Sequence, residues 1–396
     1  METFNNINPW WFYDNWEDKD KHLREWNSQK IKWVPEWIKE VGLEPFSLNF
    51  VYGTRQTGKT TGIKLLIREM IKRGKDPEEI YYLDLDYITS LSEFRKILEE
   101  LIKEMKKRRK ENGVVFLDEV TAIDEWWRIL KYFIDSGEFQ NAAITVTGSS
   151  LIGLTKIPEK FPGRRGKGKE IVVMPLSYPE FAEIKGKKTK EDLLFDTRLA
   201  YALFEEYLKL GGFPRSINEG PNSKETLIQS ILSEIYRAGK RADLVQNIFY
   251  SLLDKIPSAL SFNSIAGDIG VSHNTVEEYI NFLIDLFLVD VAYLKRGDEI
   301  IKRKEKKVFF RDPFILQAVS WWVNKEFDKS ALLENVVQEH LRRKVENVYY
   351  FKNSVEIDVI AGEYKIEIKS KRQHRSYPKD VKVLNEEEIP IFLLRV

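Results

Sequence analysis

Short apolar runs at residues 46–52, 80–84, 114–117, 143–147 and 170–174 alternate with longer segments whose apolar positions recur every three or four residues. Strands buried on both faces read as continuous apolar runs, and the helices that cross between parallel strands read with the longer period. The alternation predicts an α/β domain with a parallel sheet over residues 46–190. From 191 to about 233 the pattern turns helical, interrupted at Leu210, Gly211, Gly212, Phe213 and Pro214, and a further helical stretch continues to about 255. Residues 262–270 and 271–283 read as two helices joined by a tight turn. Two apolar runs, 288–294 and 307–310, follow as the strands of a wing, joined by a charged loop over 295–306. That order predicts a winged helix-turn-helix over 256–325. The last block, 326–396, opens with a helix over 330–343 and continues as three strands, 348–352, 355–360 and 364–370. Ahead of everything, residues 1–45 form an arm rich in aromatic rings, with Trp10, Trp11, Trp16, Trp26, Trp33 and Trp37. These rings either pack the arm onto the domain that follows or, because exposed tryptophans suit interfaces, bind a partner.

Composition changes this picture little. At 396 residues the chain is too long for one ordinary core, in keeping with several domains. Its 63 basic and 62 acidic residues leave a net charge of +1, so any basic surface for nucleic acid must be local. Three stretches qualify: 103–110, 164–169 and 302–307. There is no cysteine, and no apolar run is long enough to span a bilayer, so a cytoplasmic protein with no membrane partner is expected. Abundant Lys, Glu and aromatic residues with few Met lean towards a hot-growing organism.

The first chemical signal follows the first strand. Gly53, Thr54, Arg55, Gln56, Thr57, Gly58, Lys59 and Thr60 spell G-x-x-x-x-G-K-T between an apolar run and a helical pattern that begins at Thr61. Glycines let successive backbone N–H groups and the positive end of a helix face phosphate oxygens. Lys59 would reach the outer phosphates and the Thr60 hydroxyl would suit Mg²⁺. The spacing predicts a bound nucleoside triphosphate. Some sixty residues on, Asp118 and Glu119 stand at the end of the run 114–117, where an open α/β sheet places its ligands. Asp118 there would support the metal, and Glu119 would orient and deprotonate a water. The next run ends at Gly148, Ser149 and Ser150. Ser149, with Ser150 close behind, is the candidate to sense the γ-phosphate. The cationic loop 161–169 offers Arg164 or Arg165 to stabilise transition-state charge, in this chain or a neighbouring one; the same loop also reads as a solvated or DNA-facing surface. Arg215, after the break at 210–214, is a second candidate phosphate sensor.

The second signal is C-terminal. Asp358 and, nine residues on, Glu367 and Lys369 lie on consecutive predicted strands, and alternate strand residues share a face. With Glu334 from the preceding helix they would form a second metal site, two or three carboxylates holding Mg²⁺ and a lysine polarising a water. For DNA, His273, Asn274 and Thr275 open the second helix of the helix-turn-helix, where groove contacts are made, although Glu277 and Glu278 follow and would repel phosphates. Packing against a neighbouring domain is the other reading of that helix.

The order of these motifs, with Pro175 to Phe181 (P-L-S-Y-P-E-F), the Gly-Gly-Phe-Pro break and Asn8 to Trp11 (N-P-W-W), resembles the archaeal and bacterial AAA+-type ATPases related to the STAND regulators. The resemblance covers nearly the whole chain. It implies a RecA-like P-loop parallel sheet, a helical lid over 191–255, a winged helix and a small α/β restriction-nuclease-like end, and it is what favours ATP over GTP. The C-terminal carboxylates resemble the D…E-x-K signature of restriction-type nucleases. The chain departs from hexameric AAA+ motors in lacking a clear arginine-finger segment at the end of the core. Two functions are consistent with this reading. One is an Mg²⁺-dependent ATPase acting on DNA through the winged-helix and nuclease-like parts, with cleavage open. The other is an ATP-dependent switch that binds a protein partner or itself and cuts nothing.

Overall fold

The computed structural model describes residues 7–108, 112–149, 161–353, 355–369 and 377–396. The chain divides into two compact units, Met1–Met174 and Pro175–Val396. In the first, helix α1 (Lys21–Ser28) is started by Asp20, whose carboxylate accepts from the Leu23 N–H. Strands and helices then alternate: β1 (Ser47–Tyr52), α2 (Lys59–Lys72), β2 (Ile80–Asp84), α3 (Leu91–Lys107), β3 (Val114–Asp118), α4 (Trp126–Asp135), β4 (Ala143–Gly148) and β5 (Glu170–Val172). All five strands are parallel in the order β2-β3-β4-β1-β5. The apolar runs become strands because β1, β3 and β4 are buried at every position. The order puts β4 between β1 and β3, so the ends of three strands, rather than two, meet at one edge.

The tryptophan arm is part of this core. Trp10, Trp16, Leu23, Ile38 and Val41 are buried with Ile63, Leu65 and Ile67 of α2, and Trp11, Trp26 and Trp37 pack on the same cluster. Trp10 and Trp11 both donate their indole N–H to the Ile80 carbonyl, at 3.1 and 3.0 Å. Asn8 pairs with Tyr82 as a strand neighbour would, donating to its carbonyl at 3.0 Å and accepting from its N–H at 2.7 Å. Of the two readings of the arm, packing accounts for these rings.

In the second unit come α5 (Tyr178–Gly186), α6 (Lys190–Phe195), α7 (Thr197–Leu210), α8 (Pro214–Glu219), α9 (Lys224–Arg237) and α10 (Ala242–Lys255). The two helices expected over 262–270 and 271–283 are α11 (Phe262–Ile269) and α12 (His273–Asp285), begun by Ser261 and Ser272, whose hydroxyls accept from Ser264 N and Thr275 N. A hairpin, β6 (Val289–Arg296) and β7 (Glu299–Phe310), follows, then α13 (Pro313–Val323), α14 (Lys329–Lys344), β8 (Tyr349–Lys352), β9 (Glu356–Ala361), β10 (Tyr364–Lys369), β11 (Lys382–Asn385) and α15 (Ile389–Arg395).

Three expectations change here. The charged loop expected over 295–306 is mostly strand: β6 and β7 meet at a turn of Gly297 and Asp298, pair from Arg296 opposite Glu299 to Leu294 opposite Ile301, and pair again from Tyr293 opposite Lys306. Residues 302–305 are thereby left out of the ladder as a bulge, since β7 has four more residues than β6 at that point. Secondly, the hairpin belongs to the C-terminal sheet. Its β6 pairs in parallel with β8, and the six strands run β11-β10-β9-β8-β6-β7, so one sheet crosses the boundary expected at 325/326. Thirdly, the break between units falls at 174/175, not 190/191. Strand β11 and helix α15 had no counterpart in the sequence pattern.

Candidate functional site

The phosphate loop is built by backbone geometry that only glycine supplies at two points. Gly53 has φ of 155°, and a Cβ there would sit 2.0 Å from the Val173 carbonyl. Gly58 is left-handed at φ 86° and forms the N-cap of α2, so the first turn of the helix opens towards the loop. Lys59 is 5% exposed. It folds back on the loop, donating to the Gly53 carbonyl at 2.9 Å and the Thr54 carbonyl at 3.0 Å. Thr57 closes the loop on itself by donating to the same Thr54 carbonyl at 2.9 Å. Gln56 is also left-handed, Arg55 lies 3.9 Å from Asp86, and Thr61 sits in the first turn of α2.

Asp118, buried at the end of β3, is where this loop meets the rest of the sheet. Its Oδ2 accepts from the Thr60 hydroxyl at 2.7 Å and from the Tyr82 hydroxyl at 2.8 Å. Its Oδ1 accepts a short bond from the Thr147 hydroxyl on β4. Thr147 Oγ1 in turn accepts from the Glu119 N–H at 2.9 Å. Glu119 has a left-handed backbone, φ 55° and ψ 40°, a conformation that costs a non-glycine residue of order 1–3 kcal/mol and is kept where the surroundings fix it. A hydroxyl and a carboxylate held this close at the mouth of a phosphate loop are the donor set a nucleotide-bound Mg²⁺ uses, so the residues present fit that ion.

Tyr82, Thr147 and Lys64 were not singled out by sequence. Burial, and then the Asp118 carboxylate, push the Tyr82 hydroxyl well above its ordinary range, which keeps it a donor. Lys64, on α2, is buried with its ammonium 3.3 Å from the centre of the Tyr82 ring and 3.3 Å from Asp20 of the arm. Burial pulls its pKa down, opposed by Asp20. The arm, α2 and the Asp118 shell are thus one connected group.

The remaining nucleotide-site candidates are placed differently. Ser149 is buried just past β4; Ser150 lies outside the described residues, as do residues 109 and 110 of the first basic stretch. Arg164 is engaged by Asp135 at the end of α4 through both Nε and Nη2, the latter at 3.1 Å, and donates from Nη1 to the Pro162 carbonyl at 2.9 Å. Arg165 donates to Glu170 at 2.5 Å. In this structure both arginines of the cationic loop answer to local carboxylates. Arg215 belongs to the second unit, on α8, with its Nε 3.6 Å from Glu219.

At the start of α12, Thr275 shares its hydroxyl with the capping Ser272 at 2.8 Å, His273 packs 5.9 Å from the Phe262 ring, and Asn274 is exposed. Glu278, expected to repel phosphates, is paired with Lys240.

The C-terminal carboxylates meet a residue the sequence reading missed. Lys307, on β7 and 2% exposed, donates to Glu334 at 2.8 Å and Asp358 at 2.7 Å and lies 3.3 Å from Glu356. Burial opposes its charge, but Glu334 and Asp358 outweigh it and hold the ammonium above the usual lysine range. Burial pushes the Glu334 carboxyl well up, with Lys307 pulling it back. Glu367 is bonded to Lys369 and to the Tyr377 hydroxyl at 3.0 Å, and burial, then the nearby Asp358 carboxylate, push its carboxyl up. The expected second metal site of Glu334, Asp358 and Glu367 is corrected on this point: a lysine fills the space between the first two. Among the described residues no three His, Cys, Asp or Glu side chains come together to hold a metal ion.

Comparison with known proteins gives the first unit a relation. Residues 46–182 match the family described as AAA domain, and residues 201–326 match a domain of unknown function, DUF8612. An uncharacterized protein of Methanocaldococcus jannaschii is 24% identical over 391 residues, covering 90% of this chain and 83% of that protein. One of Haemophilus influenzae is 26% identical over 334 residues, covering 79% of each. Among solved structures, the Aeropyrum pernix ORC2 protein in its ADPNP–ADP complexes is 13% identical, with 72% of this chain and 89% of that one covered at a TM-score of 0.40. Among the described residues no helix is long and apolar enough to cross a membrane. Over residues 46–182, then, the chain is similar to AAA domains, and the P-loop and Asp118 that such a domain needs are in place on a parallel α/β sheet.

Proposed function

We propose that this protein is an Mg²⁺-dependent ATPase whose nucleotide state is coupled to DNA binding through the helix-turn-helix and basic hairpin of its second unit. The observation that carries the ATPase reading is the hydrogen-bonded set Thr60, Asp118 and Thr147, with Glu119 fixed beside it, at the carboxyl ends of β1, β3 and β4. Lys59 would leave its loop carbonyls to meet phosphate charge, Thr60 and Asp118 would hold Mg²⁺, and Glu119 would take a proton from the attacking water. Ser149 is the proposed γ-phosphate sensor. Arg164 and Arg215 would contribute charge only after exchanging their present carboxylate partners. ATP over GTP rests on resemblance alone. For DNA, the support is the exposed row Lys302, Arg303 and Lys304 in the bulge of β7, and His273, Asn274 and Thr275 at the start of α12 are the proposed groove contacts.

Phosphate release and nucleotide binding, each measured with and without duplex, single-stranded and branched DNA, test the proposal. Lys59→Ala should abolish binding. Glu119→Gln should bind normally and lose at least a hundredfold in turnover, on the order of 3 kcal/mol in barrier. Full turnover by the Glu119 variant would remove that residue from the mechanism. Hydrolysis unmoved by any DNA, with bound nucleotide altering self-association, would instead favour the protein-partner switch.

A further inference from the structure

Three elements converge at Lys307. Strand β7 supplies the ammonium, α14 supplies Glu334, and β9 supplies Glu356 and Asp358, two residues apart and so on one face. The second oxygen of Asp358, Oδ2, accepts from the Ile368 N–H at 2.9 Å, and the Glu334 Oε1 that takes Lys307 accepts also from Gln338 at 3.1 Å. At 2% exposure Lys307 has no solvent to swing into. A divalent ion between Glu334 and Asp358 would sit within a few ångströms of that ammonium, in a medium that screens poorly, and would have to displace it. Glu367 offers a buried Oε2 with no hydrogen-bond partner among the described residues, but its Oε1 is already bonded to Lys369, a second ammonium.

We propose that Lys307 is a tethered cation standing where a divalent metal would bind. The C-terminal sheet is then a metal-independent module that does not cleave nucleic acid, and its carboxylates fasten the basic hairpin to α14 and β9. Asp358, the first residue of the D…E-x-K pattern, and Glu334 thereby have a structural partner in Lys307. The same lysine lies two residues after the exposed bulge 302–305, past the Lys306 that pairs with Tyr293, so the clamp fixes the base of the segment proposed to meet DNA.

The test is Mn²⁺ uptake by the full chain without nucleotide, followed by electron paramagnetic resonance, with melting temperature in Mn²⁺ and in EDTA read alongside. The wild-type chain should take up no Mn²⁺ that Asp358→Asn removes, and should melt at the same temperature in both solutions. One Mn²⁺ per chain that is lost in Asp358→Asn and kept in Thr60→Ala would overturn the proposal, as would DNA cutting that depends on Asp358. Lys307→Met should melt lower by roughly 10 °C, because it leaves buried carboxylates uncompensated, and should recover part of that loss in Mn²⁺. Should it fail to fold, the wild-type measurements decide; should it melt as the wild type does, the clamp is refuted.

Discussion

At the scale of single residues, the question is what holds Asp118 ready. Four groups touch its shell, and each comes from a different element: Thr60 from α2, Tyr82 from β2, Thr147 from β4 and, through Thr147, the Glu119 backbone. Tyr82 is the member with no place in the phosphate-loop motif, which makes it the informative one to change. In Tyr82→Phe the ring remains to pack under Lys64, but Asp118 Oδ2 is left with Thr60 alone. A hydrogen bond to a charged group is worth about 1.5–3 kcal/mol. If that bond positions the carboxylate, kcat should fall roughly tenfold with nucleotide affinity little changed, and half-maximal activity should require more Mg²⁺. A lower melting temperature with unchanged kcat and Mg²⁺ dependence would show that the tyrosine only packs. The sequence disclosed Lys59, Thr60 and Asp118 because their chemistry is written in contiguous motifs. It did not disclose Tyr82 or Thr147, whose roles arise from strand order and register: Val51 lies opposite Thr147 and Tyr82 opposite Phe116, so both hydroxyls arrive beside Asp118 only once the sheet is assembled.

At the scale of elements, two buried titratable groups in the second unit act in opposite directions. Asp312 caps α13, accepting from Phe314 N at 2.7 Å and from Gly212 N at 2.9 Å. Burial pushes its carboxyl up to about 7, against the pull of those two N–H groups. The unfolded chain gives up this proton near pH 4 and the folded chain holds it to about 7, so its contribution to stability is present below 4 and is lost as pH rises through 7. His340, inside α14, accepts from Tyr178 N at 2.7 Å and donates to the Val336 carbonyl at 2.6 Å. Burial pushes it down to about 3, helped by Arg343. Its contribution is present above about 6.5 and is lost as pH falls towards 3. Each effect is on the order of 4 kcal/mol by linkage, and the two overlap between pH 4 and 6.5. Relative to the wild type, Asp312→Asn should therefore be more destabilised at pH 5 than at pH 7.5, and His340→Gln more destabilised at pH 7.5 than at pH 5. Urea denaturation at the two pH values checks this, and a pH-independent difference for either variant would remove that group from the balance. The helices and strands around these groups were largely legible as patterns of 3.6 and 2. The bulge at 302–305 was not, because a basic run carries no periodicity; Lys307 looked like the end of that run when it is the residue at which the strand turns its side chain inward.

At the scale of the whole molecule, a net charge of +1 gives no general attraction for nucleic acid, so any DNA affinity must come from local charge. The bulge of β7 concentrates three exposed cations, Lys302, Arg303 and Lys304, next to a clamp that fixes its base. If these are phosphate contacts, each releases counterions on binding, and the slope of log affinity against log salt on duplex DNA changes by about 0.9 for each one removed. The triple variant Lys302→Ala, Arg303→Ala, Lys304→Ala should thus bind duplex more weakly at low salt, with a slope shallower by about 2–3. Its ATP hydrolysis in the absence of DNA should match the wild type, since none of the three residues belongs to the nucleotide site. DNA-stimulated hydrolysis should fall with binding, because the stimulation depends on occupancy of the second unit. An unchanged slope would place the DNA contacts elsewhere on the chain. Weaker binding with full stimulation at saturating DNA would keep the hairpin as a contact but take it out of the coupling, leaving the start of α12 as the part of the second unit that reports DNA to the ATPase.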